Sequence, residues 1–393
     1  MMENRNWKEY RFSDFVKINP SVTLKANEEY SFVEMKDLED GNKYCFPKIK
    51  KIKGGGAKFQ NGDTLFARIT PCLENGKICQ VKGLENNLGF GSTEFYVFRG
   101  KENISDTEFV YYLSRWNDVR DHAEINLDGT SGRQRVPKAS FDDLIIQMPG
   151  LPEQKAIASV LSSLDDKIDL LHQQNQTLEA LAETLFRQWF IERCPEPVEG
   201  EAKEDWEERP LSSIANFLNG LACQKFPPKD SINRLPVLKI KDLTSGISEN
   251  SDWATTDVKP EYIIRNGDVI FAWSASLMVK IWNGEDCILN QHLFKVTSEE
   301  FPKWFYYFWC KQHLREFISI AQSHATTMGH IKRSDLDEAM VLIPEEKEIE
   351  QMTIQMNPIL EKIQLNNNQI NSLSKLRDTL LPKLMSGEVR VKL

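Results

Sequence analysis

The stretch Asn61-Gly-Asp-Thr-Leu-Phe-Ala67 returns later in the chain as Asn266-Gly-Asp-Val-Ile-Phe-Ala272. In both copies Asn-Gly predicts a tight turn, because these two residues tolerate a positive φ. The residues after the turn are mostly β-branched or aromatic, which is typical of a buried strand. The two copies therefore predict the same turn and strand in each half of the chain.

Other matches follow in the same order along both halves, and only the lengths of short loops differ. They pair Trp7 with Trp206, Met35-Lys-Asp-Leu38 with Ile240-Lys-Asp-Leu243, Tyr111-Tyr112 with Tyr306-Tyr307, and Val136, Phe141, Ile146 and Pro149 with Ile331, Leu336, Val341 and Pro344. Matches at a nearly constant offset indicate a tandem repeat.

The predicted fold class is α+β, with a strand-rich domain and then a long helix in each half. The expected segments are 1–150 for the first domain, 151–193 for the first helix, 194–204 for an acidic linker, 205–343 for the second domain, and 344–393 for the second helix and tail. Since helix one leaves the first domain for the second, helix two must run back. Joining the tail to the start would repeat the connection into the second domain, so the chain ends should lie close together.

Apolar residues in the first helix recur in steps of four and three, a heptad seam that needs a partner helix. The second helix has a poorer seam, and Pro358 and Pro382 are expected to kink or end it. The alternative is that each helix packs only on its own domain. The predicted seam residues are Ile157, Leu161, Leu164, Ile168, Leu171, Asn175, Leu178 and Leu185 in helix one, and Ile359, Ile363, Asn366, Ile370, Leu373 and Leu380 in helix two.

Each seam contains an asparagine, Asn175 in the first helix and Asn366 in the second. An antiparallel alignment on the midpoints of the two seams places these residues opposite each other. Amides that face each other in an apolar seam can bond and disfavour every slipped alignment. The alternative is that each amide is solvated separately at a gap between the helices.

Composition argues against several classes of protein. The chain has 393 residues, seven scattered cysteines, six histidines and a net charge of −9. No apolar run approaches the roughly 18 residues of a membrane span, and the cysteines form no C-x-x-C pair. We expect a cytoplasmic protein with reduced thiols, no bound metal or cofactor, and no catalytic site, since no phosphate-binding loop or catalytic constellation is present.

Along its whole length the sequence resembles the specificity subunits of type I restriction-modification systems. The sequence departs from the family at the start of the second helix, where the residues from Pro344 match only in part the Leu-Pro-Glu-Gln that opens the first helix. The motifs that carry the resemblance are Leu151-Pro-Glu-Gln154, Leu164-Asp-Asp-Lys-Ile168, Thr184-Leu-Phe-Arg-Gln-Trp-Phe190, Gly91-Ser-Thr-Glu-Phe95, and the longer runs 62–77 and 376–388.

The resemblance implies a subunit that is not an enzyme. Such a subunit holds two modification subunits, which use S-adenosylmethionine, and recruits restriction subunits, which use ATP and Mg. Each domain would read one half of a bipartite site in double-stranded DNA, and the helices would set the unread spacer. Two other readings are the specificity portion of a split or fused restriction or methylation enzyme, and a coiled-coil adaptor without DNA specificity.

Contacts to DNA need cations for phosphates and Arg, Lys, Asn or Gln for base edges, on exposed loops. In domain one the candidates are Lys50, Lys51, Lys53, Lys58, Arg68, Thr70, Ser131, Arg133, Gln134, Arg135 and Lys138. In domain two they are Trp273, Ser274, Ser276, Lys280, Thr326, Thr327, His330, Lys332 and Arg333. We interpret the lysine run, Lys50, Lys51, Lys53 and Lys58, as a loop that contacts DNA; the alternative is that these lysines only form a solvated surface. For Trp273 the alternative is packing in the core.

Overall fold

A computed structural model describes residues 7–130, 132–192, 206–248, 250–323 and 329–392. The predicted acidic linker 194–204 lies outside these ranges. The chain divides into two compact units, of which unit 1 comprises Met1–His172 with Gln369–Leu393 and unit 2 comprises Gln173–Asn368. Each unit contains one strand-rich domain and part of both long helices.

The domain of unit 1 is built on a five-stranded sheet ordered β2-β10-β7-β8-β4, a four-stranded sheet ordered β5-β3-β9-β6, and the pair β1-β11. The elements are β1 Lys8–Arg11, α1 Phe12–Phe15, β2 Val16–Ile18, β3 Glu29–Val33, β4 Tyr44–Cys45, β5 Ile49–Ile52, β6 Ala57–Gln60, β7 Thr64–Ala67, β8 Ile78–Val81, β9 Leu88–Gly91, β10 Phe95–Gly100, α2 Thr107–Arg115, α3 Asn117–Ile125, α4 Ser140–Asp143 and β11 Ile145–Met148.

The domain of unit 2 has sheets ordered β13-β20-β17-β18 and β15-β14-β19-β16, and the pair β12-β21. The elements are β12 Glu207–Pro210, α6 Leu211–Ile214, β13 Asn216–Asn219, β14 Arg234–Leu238, α7 Asp242–Ser245, β15 Trp253–Thr255, β16 Ile263–Ile264, β17 Val269–Ala272, β18 Met278–Ile281, β19 Cys287–Leu289, β20 Leu293–Thr297, α8 Lys303–Ser323, α9 Arg333–Glu338 and β21 Met340–Ile343.

The repeated turn and strand form as predicted. Gly62 and Gly267 have φ values of +88° and +92°, a region in which a side chain would be strained. All four residues of β7 and all four of β17 are buried. Both strands lie inside their sheets, so the strand that ends at Ala67 or Ala272 delivers the following residues to a fixed place on each domain.

The two long helices are α5, Leu151–Phe190, and α10, Glu346–Met385, each of 40 residues. Of the two expected effects of proline, a kink or an end, the end does not occur, because α10 runs through both Pro358 and Pro382. A proline in a helix removes one hydrogen bond. Met356 and Ile359, on either side of Pro358, are both buried.

Within each unit the two helices pack together in antiparallel directions. In unit 1, Ile168 and Leu171 of α5 form an apolar cluster with Ile370 and Leu373 of α10. Leu164 is half-buried, and its neighbour Asp165 takes the buried position instead. The other predicted seam residues join the cores of the two domains: Ile157, Leu161 and Leu380 in unit 1, and Leu178, Leu185, Ile359 and Ile363 in unit 2.

The predicted contact between the two asparagines is confirmed in unit 2. The side-chain amide of Asn366 donates to the Oδ1 of Asn175 at 2.9 Å, and Asn175 donates in turn to the Oδ1 of Asn367 at 2.7 Å. Both Asn175 and Asn366 are buried. Because a slipped alignment would bury these amides against apolar side chains, the contact fixes the register of the two helices.

The described ends of the chain meet in unit 1. The indole of Trp7 donates to Glu153 at 3.3 Å, and Arg390 binds the same carboxylate through Nε and Nη2 at 2.7 and 2.6 Å. Trp206 makes the equivalent contact with Glu348 in unit 2, at 2.7 Å. The expected closeness of the chain ends is therefore confirmed for Trp7 and Arg390, while Met1 and Leu393 lie outside the described residues.

A buried ion pair lies between the helices in unit 1. The guanidinium of Arg377 donates to Asp165 at 2.8 Å, and both side chains are more than nine-tenths buried. Arg377 also donates to the carbonyl of Gly41, and Tyr112 donates to the other oxygen of Asp165 at 2.6 Å. In the repeat, the positions of Asp165 and Arg377 correspond to Leu360 and Ala182, which belong to the apolar core of unit 2.

We expect Arg377→Ala to leave a buried carboxylate without its partner and to lower the free energy of unfolding by about 3–5 kcal/mol. The double variant Asp165→Leu with Arg377→Ala copies the pair in unit 2 and should recover more than about 1 kcal/mol of that loss. Denaturant unfolding of the purified chain measures both values. A double variant no more stable than Arg377→Ala would show that the unpaired charge is not the cause.

Candidate nucleic-acid interface

In domain one, two of the predicted segments lie side by side. After β7 the chain forms an antiparallel bridge between Ile69 and Arg135. The amide of Val136 donates to the carbonyl of Arg68 at 2.9 Å, and the amide of Thr70 donates to the carbonyl of Gln134 at 3.0 Å. The residues that follow β7, Arg68 to Thr70, which we call the strand exit, thus form one surface with the loop that follows Gly129.

Glu94 organises this surface. Its carboxylate accepts hydrogen bonds from Nε and Nη2 of Arg135 at 2.9 and 2.8 Å and lies 3.4 Å from the Nε of Arg68. The guanidinium of Arg68 also stands 5.3 Å from the ring centre of Tyr96. Arg135 lowers the pKa of Glu94 most strongly among its neighbours, so this carboxylate is charged at neutral pH. Two cations are therefore held in fixed positions around one anion.

The remaining candidates around this surface differ in exposure. Arg133 and Lys138 are exposed and Gln134 is half-buried, whereas Thr70 is buried and accepts a hydrogen bond from the amide of Gln134. Lys138 lines a shallow depression of about 410 Å³ together with Arg68, Tyr96 and Arg135. Ser131 lies outside the described residues.

The interpretation of the lysine run as a loop is wrong for Lys50, Lys51 and Lys58, which lie in strands, whereas Lys53 lies between β5 and β6. Lys50 and Lys51 lie in β5, which pairs with β3. Lys50 forms a 2.6 Å ion pair with Glu85, and the ammonium of Lys51 sits 3.7 Å from the ring centre of Phe32. Pairing with β3 keeps this segment extended. The other two lysines are half-buried, and Lys58 lines a depression next to Arg68.

Domain two repeats the backbone arrangement with other side chains. Ser274 forms the antiparallel bridge with His330, and the amide of Ile331 donates to the carbonyl of Trp273 at 3.1 Å. The indole of Trp273 is half-buried, stacks on Phe294 with ring centres 5.6 Å apart, and donates to Asn219 at 3.2 Å. Trp273 is therefore held by packing while part of it stays exposed.

The other domain-two candidates are distributed over two places. Ser276 is exposed beyond the strand exit, and Lys332 and Arg333 are exposed at the start of α9, where Arg333 donates to the carbonyl of Phe217. Lys280 lies in β18, and its ammonium donates to the carbonyl of Leu243 at 3.0 Å, so it belongs to a different face. Thr326 and Thr327 lie outside the described residues.

Strand register shows which residues correspond in the two domains. Phe66 pairs with Tyr96 in domain one, and Phe271 pairs with Phe294 in domain two. Four positions of domain one, Arg68, Glu94, Tyr96 and Arg135, therefore correspond to Trp273, His292, Phe294 and His330 of domain two. The hydroxyl of Ser274 lies 3.2 Å from Nδ1 of His292.

Sequence reasoning missed Glu94, Tyr96 and His292. Glu94 belongs to the stretch Gly91-Ser-Thr-Glu-Phe95, which carries the family resemblance, so a signal was present in the sequence. A search for cations and amides passes over a carboxylate, although a carboxylate is what holds two arginines in place here.

The described residues include no group of three or more His, Cys, Asp or Glu side chains that could hold a metal ion. No helix in the described part of the chain is long and apolar enough to span a membrane. The six cysteines in that part are free thiols, and Cys194 lies outside it.

The family model described as the type I restriction modification DNA specificity domain matches residues 4–180 and 203–375. The chain belongs to this family. The two matched segments repeat the division of the sequence into two halves, and together they cover most of it. Type I specificity subunits are the non-catalytic components of their complexes.

Relatives of this type I specificity subunit match along almost its whole length. It is 27% identical to the type I restriction enzyme MjaIX specificity subunit of Methanocaldococcus jannaschii, covering 98% of this chain and 89% of that protein. It is 22% identical to the HindI specificity subunit of Haemophilus influenzae, covering 98% of this chain and 100% of that protein.

A solved structure has a similar fold. The S subunit of the type I restriction-modification system of M. genitalium matches with a TM-score of 0.55 and 14% sequence identity. The match covers 100% of this chain and 98% of that one. The predicted fold, two strand-rich domains each followed by a long helix of a packed pair, is thereby confirmed.

Proposed function

We propose that each domain of this specificity subunit reads one half of a bipartite site in double-stranded DNA. The observation that carries the proposal is the pair of matched surfaces described above. In each domain an equivalent backbone bridge holds the strand exit against an equivalent loop, yet the two domains present different side chains there. Equivalent frames with different polar groups are what two readers of different base sequences require.

In domain one, base reading is assigned to Arg68, Gln134 and Arg135. A guanidinium can donate two hydrogen bonds to the O6 and N7 of guanine. Because Glu94 holds one edge of the Arg135 guanidinium, the remaining N–H groups would lose little entropy when they bind a base. The lysines at 53 and 58, Arg133 and Lys138 would neutralise phosphates, which positions the domain without specifying sequence. Lys50, Lys51, Thr70 and Ser131 complete the proposed interface.

In domain two, the exposed part of Trp273 and the imidazoles of His292 and His330 take the places of the arginines and the glutamate. An aromatic ring with two imidazoles offers apolar contact and single hydrogen bonds instead of two guanidinium forks. Phosphate contacts fall to Lys332 and Arg333, with Ser274, Ser276, Thr326 and Thr327 as further candidates, whereas Lys280, on a different face, is left out of the interface.

The recognition domains are taken as residues 1–150 and 205–343. The helices between them would set the unread spacer and dock two modification subunits, which in turn work with restriction subunits. A 40-residue helix is about 60 Å long at 1.5 Å per residue. S-adenosylmethionine, ATP and Mg would be used by those partners and not by this chain.

Exchange of residues 205–343 for the matching stretch of a relative should change one half of the methylated motif and leave the other half intact. Sequencing of methylated adenines in cells that carry the chain and its modification subunit measures this. The reciprocal exchange of residues 1–150 is the matched control and should change the opposite half. A change in both halves would refute independent readers, and methylation without any sequence preference would favour the adaptor.

Arg135→Ala and Arg133→Ala should weaken binding in different ways. Loss of a base-reading fork at Arg135 should relax discrimination at one base pair by about 1–3 kcal/mol. Loss of a phosphate contact at Arg133 should weaken binding to all duplexes and reduce the slope of log affinity against log salt by about 0.9.

Titration of the target and its single-base variants at several salt concentrations separates the two effects, and each variant serves as the control for the other. Equal losses on every duplex for both variants would contradict the assignment of Arg135 to base reading.

A further inference from the structure

A polar cluster fills the space between the domain and the helices in unit 1. The side chain of Lys43 is 2% exposed, forms an ion pair with Glu108, and donates to the hydroxyl of Ser162 at 2.9 Å. Gln80 donates to the other oxygen of Glu108 at 2.9 Å. Lys43 precedes β4, so this edge strand brings the lysine to the helices.

Unit 2 has a cleft of about 670 Å³ at the equivalent place. Apolar groups there replace the buried ions of unit 1, since Asp165 and Arg377 correspond to Leu360 and Ala182. The cleft residues that correspond to members of the polar cluster are Lys303 for Glu108, Asn357 for Ser162, Ile281 for Gln80 and Tyr307 for Tyr112.

In the described part of unit 2, no strand takes the place that β4 has in unit 1. In unit 1, β4 pairs in parallel with β8, and the amides of Gln80 and Lys82 donate to the carbonyls of Lys43 and Cys45 at 2.7 and 3.1 Å. The strand of unit 2 that corresponds to β8 is β18, which lies at the edge of its sheet among the described residues. After α7 the chain turns at Gly246, which has a φ of +76°.

The charge in the cleft is the reverse of that in unit 1. Lys303 of unit 2 has the position in the repeat that Glu108 has in unit 1, and its ammonium donates to the carbonyl of Gly267 at 2.7 Å. Lys280, which also lines the cleft, likewise donates to a backbone carbonyl. Both lysines are exposed, and neither forms an ion pair with a described residue, although Glu179 and Glu361 also line the cleft. An occupant that replaced Lys43 would therefore carry a carboxylate where Lys43 carries an ammonium.

We propose that this cleft receives an extended acidic segment of a modification subunit, which adds to the edge of β18 as β4 adds to β8. Its backbone would satisfy the open strand edge, and its carboxylate would meet Lys303. The choice of partner rests on the proposed function, in which the modification subunits dock beside the helices. Unit 1 fills the same place with its own strand β4, so the two halves of the chain would make different contacts with the modification subunits.

Photo-crosslinking in the complex with the modification subunits tests this. The chain carries p-benzoylphenylalanine at Thr244, an exposed residue that lines the cleft. The matched control carries it at Glu39, the equivalent exposed position beside the filled site of unit 1. We expect irradiation to join Thr244, and not Glu39, to a peptide of the modification subunit that contains Asp or Glu.

Charge variants then test the recognition itself. Lys303→Glu should reduce the yield from Thr244 about tenfold, the effect of losing one charge-assisted hydrogen bond, while Lys303→Arg keeps it. Crosslinks only to this chain, to DNA or to a small molecule, or a yield no higher than at Glu39, would overturn the inference. Assembly with modification subunits and specific DNA binding are measured in the same samples. If both persist without the crosslink, only the inference fails, whereas absent assembly overturns the proposed function too.

Discussion

The structure depends on one hydrogen bond placed in an apolar seam, that between the amides of Asn366 and Asn175 at 2.9 Å. Leucine and isoleucine tolerate many alignments of two helices, because apolar contacts have no direction. Two buried amides do not, since any slip by a heptad leaves each without a partner. The register of the helices follows from this contact, and in the proposed function the register sets the positions of both readers.

Much of the fold could be predicted because the chain repeats itself and its first helix has a clean heptad pattern. The facing asparagines followed from that pattern alone. The Asp165–Arg377 pair did not, because an arginine in a heptad position reads as a flaw until its buried partner is known. The lysine run was misread for a related reason: its pairing with β3 is a long-range contact that charge alone does not indicate.

The candidate interface was predicted in its location more than in its chemistry. The strand exit and the later loop both stood out, but only the structure shows the backbone bridge that joins them. Glu94, which holds Arg68 and Arg135, works through geometry that no sequence search for cations reveals. The repeated frame thus keeps its backbone hydrogen bonds while its side chains have diverged.

In the proposed function, the paired helices fix the distance between the two half-sites. Deletion of residues 168–174 from α5 together with 367–373 from α10 removes facing heptads and keeps Asn175 opposite Asn366. Seven residues at 1.5 Å each are about 10 Å, or about three base pairs at 3.4 Å. Sequencing of methylated adenines should then show both half-sites unchanged and a spacer about three base pairs shorter. An unchanged spacer, or altered half-sites, would show that the helices do not set the distance between the two readers.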